Sequence, residues 1–190
     1  TIAQGDVAIA PGQGTATATI DDIDQSLTFS VVVNDEGAEP QSQSVRINEE
    51  GTADDEATFT VALSAPLNAG NSASVVLTFP GTAGDGTDYS PALDTAIANA
   101  ITALAPGHGV SYVAGTNTLT FTGGAGTVSS LSFTVDATDD DTLDDDETVT
   151  VTLNTPTIDQ GTVGIATGQG TATATITDID QEISFSIAAD

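Results

Sequence analysis

Apolar residues alternate with polar ones along most of the chain, and this period of two predicts β-strands. Threonine fills many of the polar positions, as β-branched residues do in strands. Segments rich in glycine and asparagine, at 68–71 and 123–126, separate the runs and predict turns. The apolar sets are Phe59, Val61 and Leu63; Val75, Leu77 and Phe79; Leu119 and Phe121; Leu131, Phe133 and Val135; Val149, Val151 and Leu153; and Ala172, Ala174 and Ile176. Several short strands favour an all-β, antiparallel, immunoglobulin-like β-sandwich.

One segment departs from this pattern and predicts an α-helix over about residues 91–105. Ser90 and Pro91 have the residue types of an N-cap and of a first helical position. Apolar residues then recur every three or four positions, at Leu93, Ile97, Ile101 and Leu104. Pro106 and Gly107 end the run. We expect one amphipathic helix, inserted in the β-fold and packed on the sandwich without a chemical role.

The chain repeats itself at an offset of 156 residues, from Gln4 to Gln160. The sequence QGDVAIAPGQGTATATI at 4–20 returns as QGTVGIATGQGTATATI at 160–176, and the sequence DIDQ follows both copies after one residue. A period of this length corresponds to a whole domain, because solenoid units are much shorter.

Domain boundaries follow from this repeat. We expect residues 26–181 to form one complete copy, residues 1–25 to be the last strand and linker of a preceding copy, and residues 182–190 to begin the next. The parent protein is then a tandem array, and its other copies are the partners of this one. A linker as short as DIDQ leaves neighbouring copies little freedom.

The charge balance excludes several classes of partner. The chain has 28 Asp and Glu residues against one basic residue, Arg46, and a formal net charge of −27. Such a surface repels nucleic acid and anionic lipid, and no apolar run is long enough for membrane insertion. The absence of cysteine excludes disulfides and thiolate metal sites. We expect the isolated module to be monomeric and its carboxylates to need screening or bound cations.

Acidic residues concentrate in four segments at predicted strand ends. They are Glu49-Glu50; Asp85 with Asp88; the run from Asp139 to Glu147; and Asp178 with Asp180, matched earlier by Asp22 and Asp24. Alternate connections of an antiparallel sandwich emerge at the same end, so several of these loops are expected to meet. Calcium accepts about six to eight oxygen ligands, whereas Mg²⁺ demands a stricter octahedron. The alternative to a Ca²⁺ site is a set of solvated loops.

The segments VRINEE, GTDYS, ATDDDTLDDDETVTVTL and ATATITDID resemble, in this order, the landmarks of Calx-β domains. These are calcium-binding sandwiches of sodium–calcium exchangers and of very large bacterial surface proteins. The resemblance covers about residues 27–181, and the inserted helix is similar to that of the branch in repeats-in-toxin adhesins. Ile179 departs from the family pattern, which often has a third acid there, and Asp144 is shorter than the usual Glu.

The resemblance implies Ca²⁺ as the cofactor and eight metal ligands: Glu49, Asp88, Asp139, Asp140, Asp144, Glu147, Asp178 and Asp180. It also implies a structural extender domain of a secreted bacterial adhesin, outside the cell at its surface. Three alternatives stay open: an adhesive module that binds a glycan or protein directly, a calcium-sensing regulatory domain, and an acidic surface-layer domain without metal.

An enzymatic role is not expected from this sequence. Paired acids are also a feature of glycosidases, but aromatic residues make up only 4% of the chain and tryptophan is absent, which leaves few surfaces on which sugars stack. His108 lies between two glycines as the only histidine, and no cysteine accompanies it for zinc. We interpret His108 as a turn residue.

Overall fold

The chain forms two β-sheets and one α-helix over the residues that the structure describes. The computed structural model describes residues 12, 14, 15, 24–35, 42–49, 54–139 and 145–178. In chain order the elements are β1 (Gln25–Asp35), β2 (Ser44–Asn48), β3 (Glu56–Leu63), β4 (Ser72–Thr78), β5 (Tyr89–Ser90), α1 (Leu93–Ala103), β6 (Val110–Val113), β7 (Thr118–Thr122), β8 (Ser130–Ala137), β9 (Glu147–Ile158), β10 (Gly161–Ile165) and β11 (Thr171–Thr177).

The strands divide into a five-stranded sheet in the order β10-β1-β3-β8-β5 and a six-stranded sheet in the order β2-β11-β9-β4-β7-β6. Most neighbours are antiparallel, which confirms the expected sandwich. Two pairs at the sheet edges are parallel: β1 with β10, and β2 with β11. Each joins a strand from the beginning of the fold to one from its end, and the sequence pattern did not predict them.

Alternate residues of the strands of both sheets meet between the sheets and form a single apolar core. All the apolar positions expected from the sequence pattern are buried there, except that Phe79 is partly buried. Two aromatic pairs lie in this core: Phe59 stacks on Phe133 at 5.8 Å between ring centroids, and Phe29 lies 6.1 Å from Phe121. The alternate outward positions carry hydroxyl groups that bond across strands, as between Thr58 Oγ1 and Thr134 Oγ1 at 2.7 Å.

The helix is confirmed, but its start was predicted two residues too early. Ala92 is the N-cap residue, and no side chain bonds to the cap. Ser90 instead belongs to β5 and pairs with Asp136 of β8, so sheet pairing prevents it from capping the helix. The Tyr112 hydroxyl of β6 donates a hydrogen bond to Asp94 in the first helical turn. As the single α-helix among the described residues, α1 is too short to cross a membrane.

Removal of core volume should destabilise the fold, whereas the same change at the surface should not. Val151 is fully buried and Val113 is 56% exposed. We expect Val151→Ala to lower the free energy of unfolding by about 2 kcal/mol, from lost burial and a residual cavity. Val113→Ala is the matched control and should change it by less than about 0.5 kcal/mol. Urea unfolding measures both values, and equal effects would contradict the assigned core.

Candidate metal site

One end of the sandwich gathers acidic residues from both sheets, because β2, β8 and β11 end there while β3, β5 and β9 begin there. The registers pair Thr177 with Asn48, Ile176 with Glu147, Asp136 with Glu56, and Ala137 with Tyr89. We call this the acidic end. Its described carboxylates are Asp35, Glu49, Asp54, Asp55, Glu56, Asp85, Asp88, Asp136, Asp139, Asp145, Asp146, Glu147 and Asp178.

Four of the predicted ligands lie at strand ends, each two residues beyond the last inward-facing apolar residue of its strand. These pairs are Ile47 and Glu49, Ala137 and Asp139, Val149 and Glu147, and Ile176 and Asp178. The apolar core is therefore followed by carboxylates at this end of the sandwich. Glu49 is buried, with 9% of its surface exposed, whereas Asp139 is exposed.

Glu49 and Asp178 leave the six-stranded sheet side by side. β2 and β11 are parallel, with Asn48 beside Thr177, and the Glu49 amide donates to the Thr177 carbonyl at 3.4 Å. Both strands therefore deliver their next residue in the same direction. The two neighbouring carboxylates are oxygen ligands of the kind that a hard cation prefers.

Asp88 is held in place by a tight turn that precedes β5. Its side chain accepts a hydrogen bond from the Gly84 amide, and its own amide donates to the Gly84 carbonyl at 3.0 Å. A Cβ at Gly84 would overlap Thr87 Oγ1 and lie 3.0 Å from Asp88 Oδ2, so a larger residue at this position would displace these two side chains. The Asp88 carbonyl accepts from the amide of Thr138 at 3.0 Å, which ties the turn to the end of β8.

Asp88 and Glu147 contact each other across the two sheets. Partial burial acts to raise the pKa of Asp88, but hydrogen bonds with the Gly84 amide and with the Glu147 and Thr87 side chains outweigh it, and the pKa is lowered. The Asp88 and Glu147 carboxyl groups therefore lie close together, and a divalent cation placed between them would offset their mutual repulsion.

The single basic residue contributes little compensation. Arg46 pairs with Asp146, and the two side chains are 63% and 46% exposed. Exposed ion pairs stabilise proteins by about 1 kcal/mol or less. One guanidinium also cannot balance the carboxylates of the acidic end, so the net charge at this end stays strongly negative.

Asp136 and Asp55 form a second acidic pair at the acidic end of the five-stranded sheet, and neither residue was among the predicted ligands. The pKa of Asp136 is raised by partial burial and by the charge of Asp55. Asp136 pairs with Glu56 across β8 and β3, and the Asp55 carbonyl accepts a hydrogen bond from the amide of Ala137. The only sequence signal was the run DDE at 54–56, and its position became clear from strand pairing alone.

Five of the eight predicted ligands are described and lie at the acidic end: Glu49, Asp88, Asp139, Glu147 and Asp178. The other three, Asp140, Asp144 and Asp180, lie outside the described residues. Among residues that the structure describes, no three acidic, histidine or cysteine side chains are grouped closely enough to hold a metal ion. The complete ligand set therefore stays a prediction, although the donors present are all oxygens, as Ca²⁺ prefers.

Comparison with known proteins identifies one family. The sequence model of the Calx-beta domain matches residues 41–95 and 101–180, and the unmatched residues between these segments fall inside α1. A comparison with curated protein sequences gave no match.

Similar chains occur among solved structures, and three of them are described in turn. The apo-form Calx CBD1 domain is 20% identical, with 81% of this chain and 98% of that chain covered and a TM-score of 0.46. CBD12 from CALX1.2 is 22% identical, with coverage of 82% and 46% and a TM-score of 0.46. The calcium binding domain CBD12 of CALX1.1 is 20% identical, with coverage of 81% and 44% and a TM-score of 0.44. The chain thus spans slightly less than half of each CBD12 structure.

Neutralising Asp136 should stabilise the metal-free protein at neutral pH. The pKa of Asp136 in the folded state is raised above the ordinary 3.8. At every pH above that raised pKa the ionised carboxylate destabilises the folded state. The destabilisation disappears below about pH 3.8, because the carboxyl group is then protonated in both the folded and the unfolded chain. We expect Asp136→Asn to raise the Tm at pH 7 by about 1–2 °C, the scale of a small surface effect. Thermal unfolding at pH 7 and pH 3 measures this difference, and an equal gain at both pH values would contradict it.

Proposed function

The chain belongs to the Calx-beta domain family, and we propose that it is a structural, non-enzymatic Ca²⁺-binding extender within a tandem array of similar copies. The observation that carries this proposal is the acidic end, where strands of both sheets deliver carboxylates that the single Arg46 cannot balance. In the parent protein, which we propose to be a large secreted bacterial adhesin of the repeats-in-toxin type, the array would project the ligand-binding region from the cell surface.

The side chains at the acidic end fit calcium better than other common metals. Every donor is an oxygen, and Ca²⁺ accepts carboxylates, carbonyls and water in flexible geometry, whereas Mg²⁺ keeps its waters and demands an octahedron. Asp88 with Glu147, and Glu49 with Asp178, would supply ligands from both sheets. Asp139 and the three predicted ligands outside the described residues would complete the set. Bound Ca²⁺ supplies positive charge at the point where the carboxylates repel one another.

Calcium would couple folding to the surroundings of the protein. Without it the acidic end is repulsive, and this repulsion opposes the compact state. A cation that binds only the folded chain stabilises it by mass action. In a calcium-poor cytosol the chain would be easier to export, and outside the cell it would fold onto the metal. We therefore propose the bacterial cell surface as the location of the protein.

The path of the chain through the fold favours an extender. β1 ends at Asp35, which pairs with Ala57 near the start of β3 and therefore lies at the acidic end. Its first residue, Gln25, lies at the opposite end of the sandwich. β11 ends at Thr177, at the acidic end. The chain therefore enters and leaves at opposite ends, so that successive copies would add to length rather than fold back on one another.

A direct adhesive role is less well supported by the surface. Val113 is the one large apolar side chain that is exposed in the described ranges. Tyr89 is buried, and the hydroxyl of Tyr112 is bound to Asp94. A glycan or protein ligand commonly needs an apolar or aromatic patch. This observation favours the extender over the adhesive module.

Calcium should raise the melting temperature specifically. At a free concentration of about 100 times the Kd, binding adds about 2.7 kcal/mol, which corresponds to a rise of about 5–10 °C for a chain of this size. Thermal unfolding with excess Ca²⁺, excess Mg²⁺ and chelator measures the effect, and Mg²⁺ should give a smaller rise. An identical Tm in Ca²⁺ and chelator would leave the acidic segments as solvated loops, as in a metal-free surface-layer domain.

Substitutions at the acidic end should separate ligands from other carboxylates. We expect Glu147→Gln and Asp178→Asn each to remove at least half of the calcium-induced rise in Tm. Asp159→Asn is the matched control, because Asp159 is an exposed carboxylate at the opposite end of the sandwich, bonded to Ser72. Thermal unfolding in excess Ca²⁺ and in chelator measures the calcium-induced rise in Tm for all three variants. A loss of the calcium effect in Asp159→Asn alone would place the metal at the wrong end for this proposal.

Calcium should also stiffen an array of copies. A two-copy chain, made of residues 1–181 continued by a second segment 26–190, should show a larger and better defined maximum dimension in Ca²⁺ than in chelator. Small-angle X-ray scattering measures this quantity. A calcium-dependent Tm without any change in dimension would retain the binding site and remove the stiffening role, which would favour a calcium-sensing domain.

A further inference from the structure

The end of the sandwich opposite to the acidic end is organised around a glutamine. Gln25 opens β1, and its Nε2 donates a hydrogen bond to the Pro66 carbonyl at 3.0 Å. Its Oε1 accepts from the Asn68 amide at 2.7 Å and from Asn71 Nδ2 at 3.2 Å. Both ends of one side-chain amide are therefore bonded to the loop between β3 and β4.

Asn71 extends these contacts to a second loop. It is only 1% exposed, its Oδ1 accepts from the Gln160 amide at 3.0 Å, and its Nδ2 donates to the Gln160 carbonyl at 3.0 Å. Gly161 then pairs with Gln25 in the parallel ladder, and a Cβ at Gly161 would overlap the Gln25 backbone. We call this arrangement the amide end. It immobilises the first residue of β1 through both backbone and side chain.

The same glutamine closes the linker sequence. DIDQ ends at Gln25 and recurs at 178–181, directly after β11. The repeat thus places Gln181 at the position of Gln25 in the copy that follows. Asp178 lies at the acidic end of one copy, and three residues later the chain reaches the amide end of the next. Three residues span at most about 10 Å.

We propose that the amide end is the docking surface for the acidic end of the preceding copy, with Gln25 as the fixed point of the junction. This inference rests on the proposed tandem array. The partner is a second copy of this domain placed head to tail, and the glutamine contacts hold the first residue of β1 in the receiving copy. Such a contact joins two different surfaces, so each copy can receive the preceding copy at one end and meet the following copy at the other.

Charge favours this partner over a contact between like ends. Within the described ranges the amide end carries only two carboxylates, Asp24 and Asp159, and Asp159 accepts a hydrogen bond from Ser72 Oγ at 2.6 Å. Its other polar groups are side-chain amides and backbone groups. Two acidic ends would repel each other, whereas an acidic end against the amide end meets little opposing charge.

The two-copy chain defined above allows a direct test. The chain has no cysteine, so Val113→Cys in each copy, at an exposed position, introduces two sites for spin labels. In excess Ca²⁺ we expect a single narrow distribution of distances between the labels. Gln181→Ala removes the glutamine contacts at the internal junction and should at least double the width of that distribution. Gln181→Glu keeps the acceptor but loses the donor to the Pro66 carbonyl of its copy, and should give an intermediate width.

A matched control is Gln169→Ala in the first copy, because Gln169 is exposed and its side chain makes no hydrogen bond to the described residues. This variant should leave the width unchanged. Circular dichroism must show both copies folded, and Gln181→Glu keeps the test decisive if Gln181→Ala unfolds the second copy.

The outcomes separate this inference from the proposed function. Unchanged widths in folded Gln181→Ala and Gln181→Glu would overturn the inference, even where calcium still raises the Tm. Broadening in both variants without any calcium effect on Tm would support the junction and overturn the calcium-binding role. If chelator broadens the distance distribution and the two Gln181 variants do not, bound metal fixes the orientation of the copies. This result would also overturn the role of the glutamine.

Discussion

Repulsion among carboxylates at one end of the sandwich is the constraint on which the rest of the structure depends. The apolar core stabilises the body of the fold, but four strand ends at this side carry Glu49, Asp139, Glu147 and Asp178. Folding brings these charges together, and the sole guanidinium of the chain lies exposed beside Asp146. Under the proposed function, cations bound at this end would stabilise the folded state, because an unfolded and extended chain does not bring these carboxylates together.

The two ends of the sandwich solve different physical problems. At the acidic end, hydrogen bonds fix carboxylates in spite of their mutual repulsion, as the Gly84 amide does for Asp88. At the amide end, neutral groups satisfy one another: Gln25, Asn71 and Gln160 form a closed set of bonds around the start of β1. The acidic end and the amide end of the domain are therefore chemically different. The proposed head-to-tail junction between copies requires this difference.

Part of the candidate site was accessible from the sequence and part was not. Acidic runs such as the one from Asp139 to Glu147 mark strand ends on their own, because carboxylates interrupt an alternating apolar pattern. The contact between Asp88 and Glu147 joins residues far apart in the chain and depends on how the two sheets face each other. The start of the helix was misplaced for a similar reason, since Ser90 has the chemistry of a cap but is paired with Asp136 in the sheet.

By itself the sequence determined the class of fold, the core residues, the single helix, the repeat and the concentration of acid at strand ends. These properties are local or periodic, and side-chain alternation reads directly from the order of residues. Only the tertiary structure decided the parallel pairing of β2 with β11, which sets Glu49 beside Asp178, and the enclosure of Gln25 by loops from elsewhere in the chain. Both depend on contacts between segments distant in sequence, whose registers are set by the packing of the two sheets and by backbone hydrogen bonds.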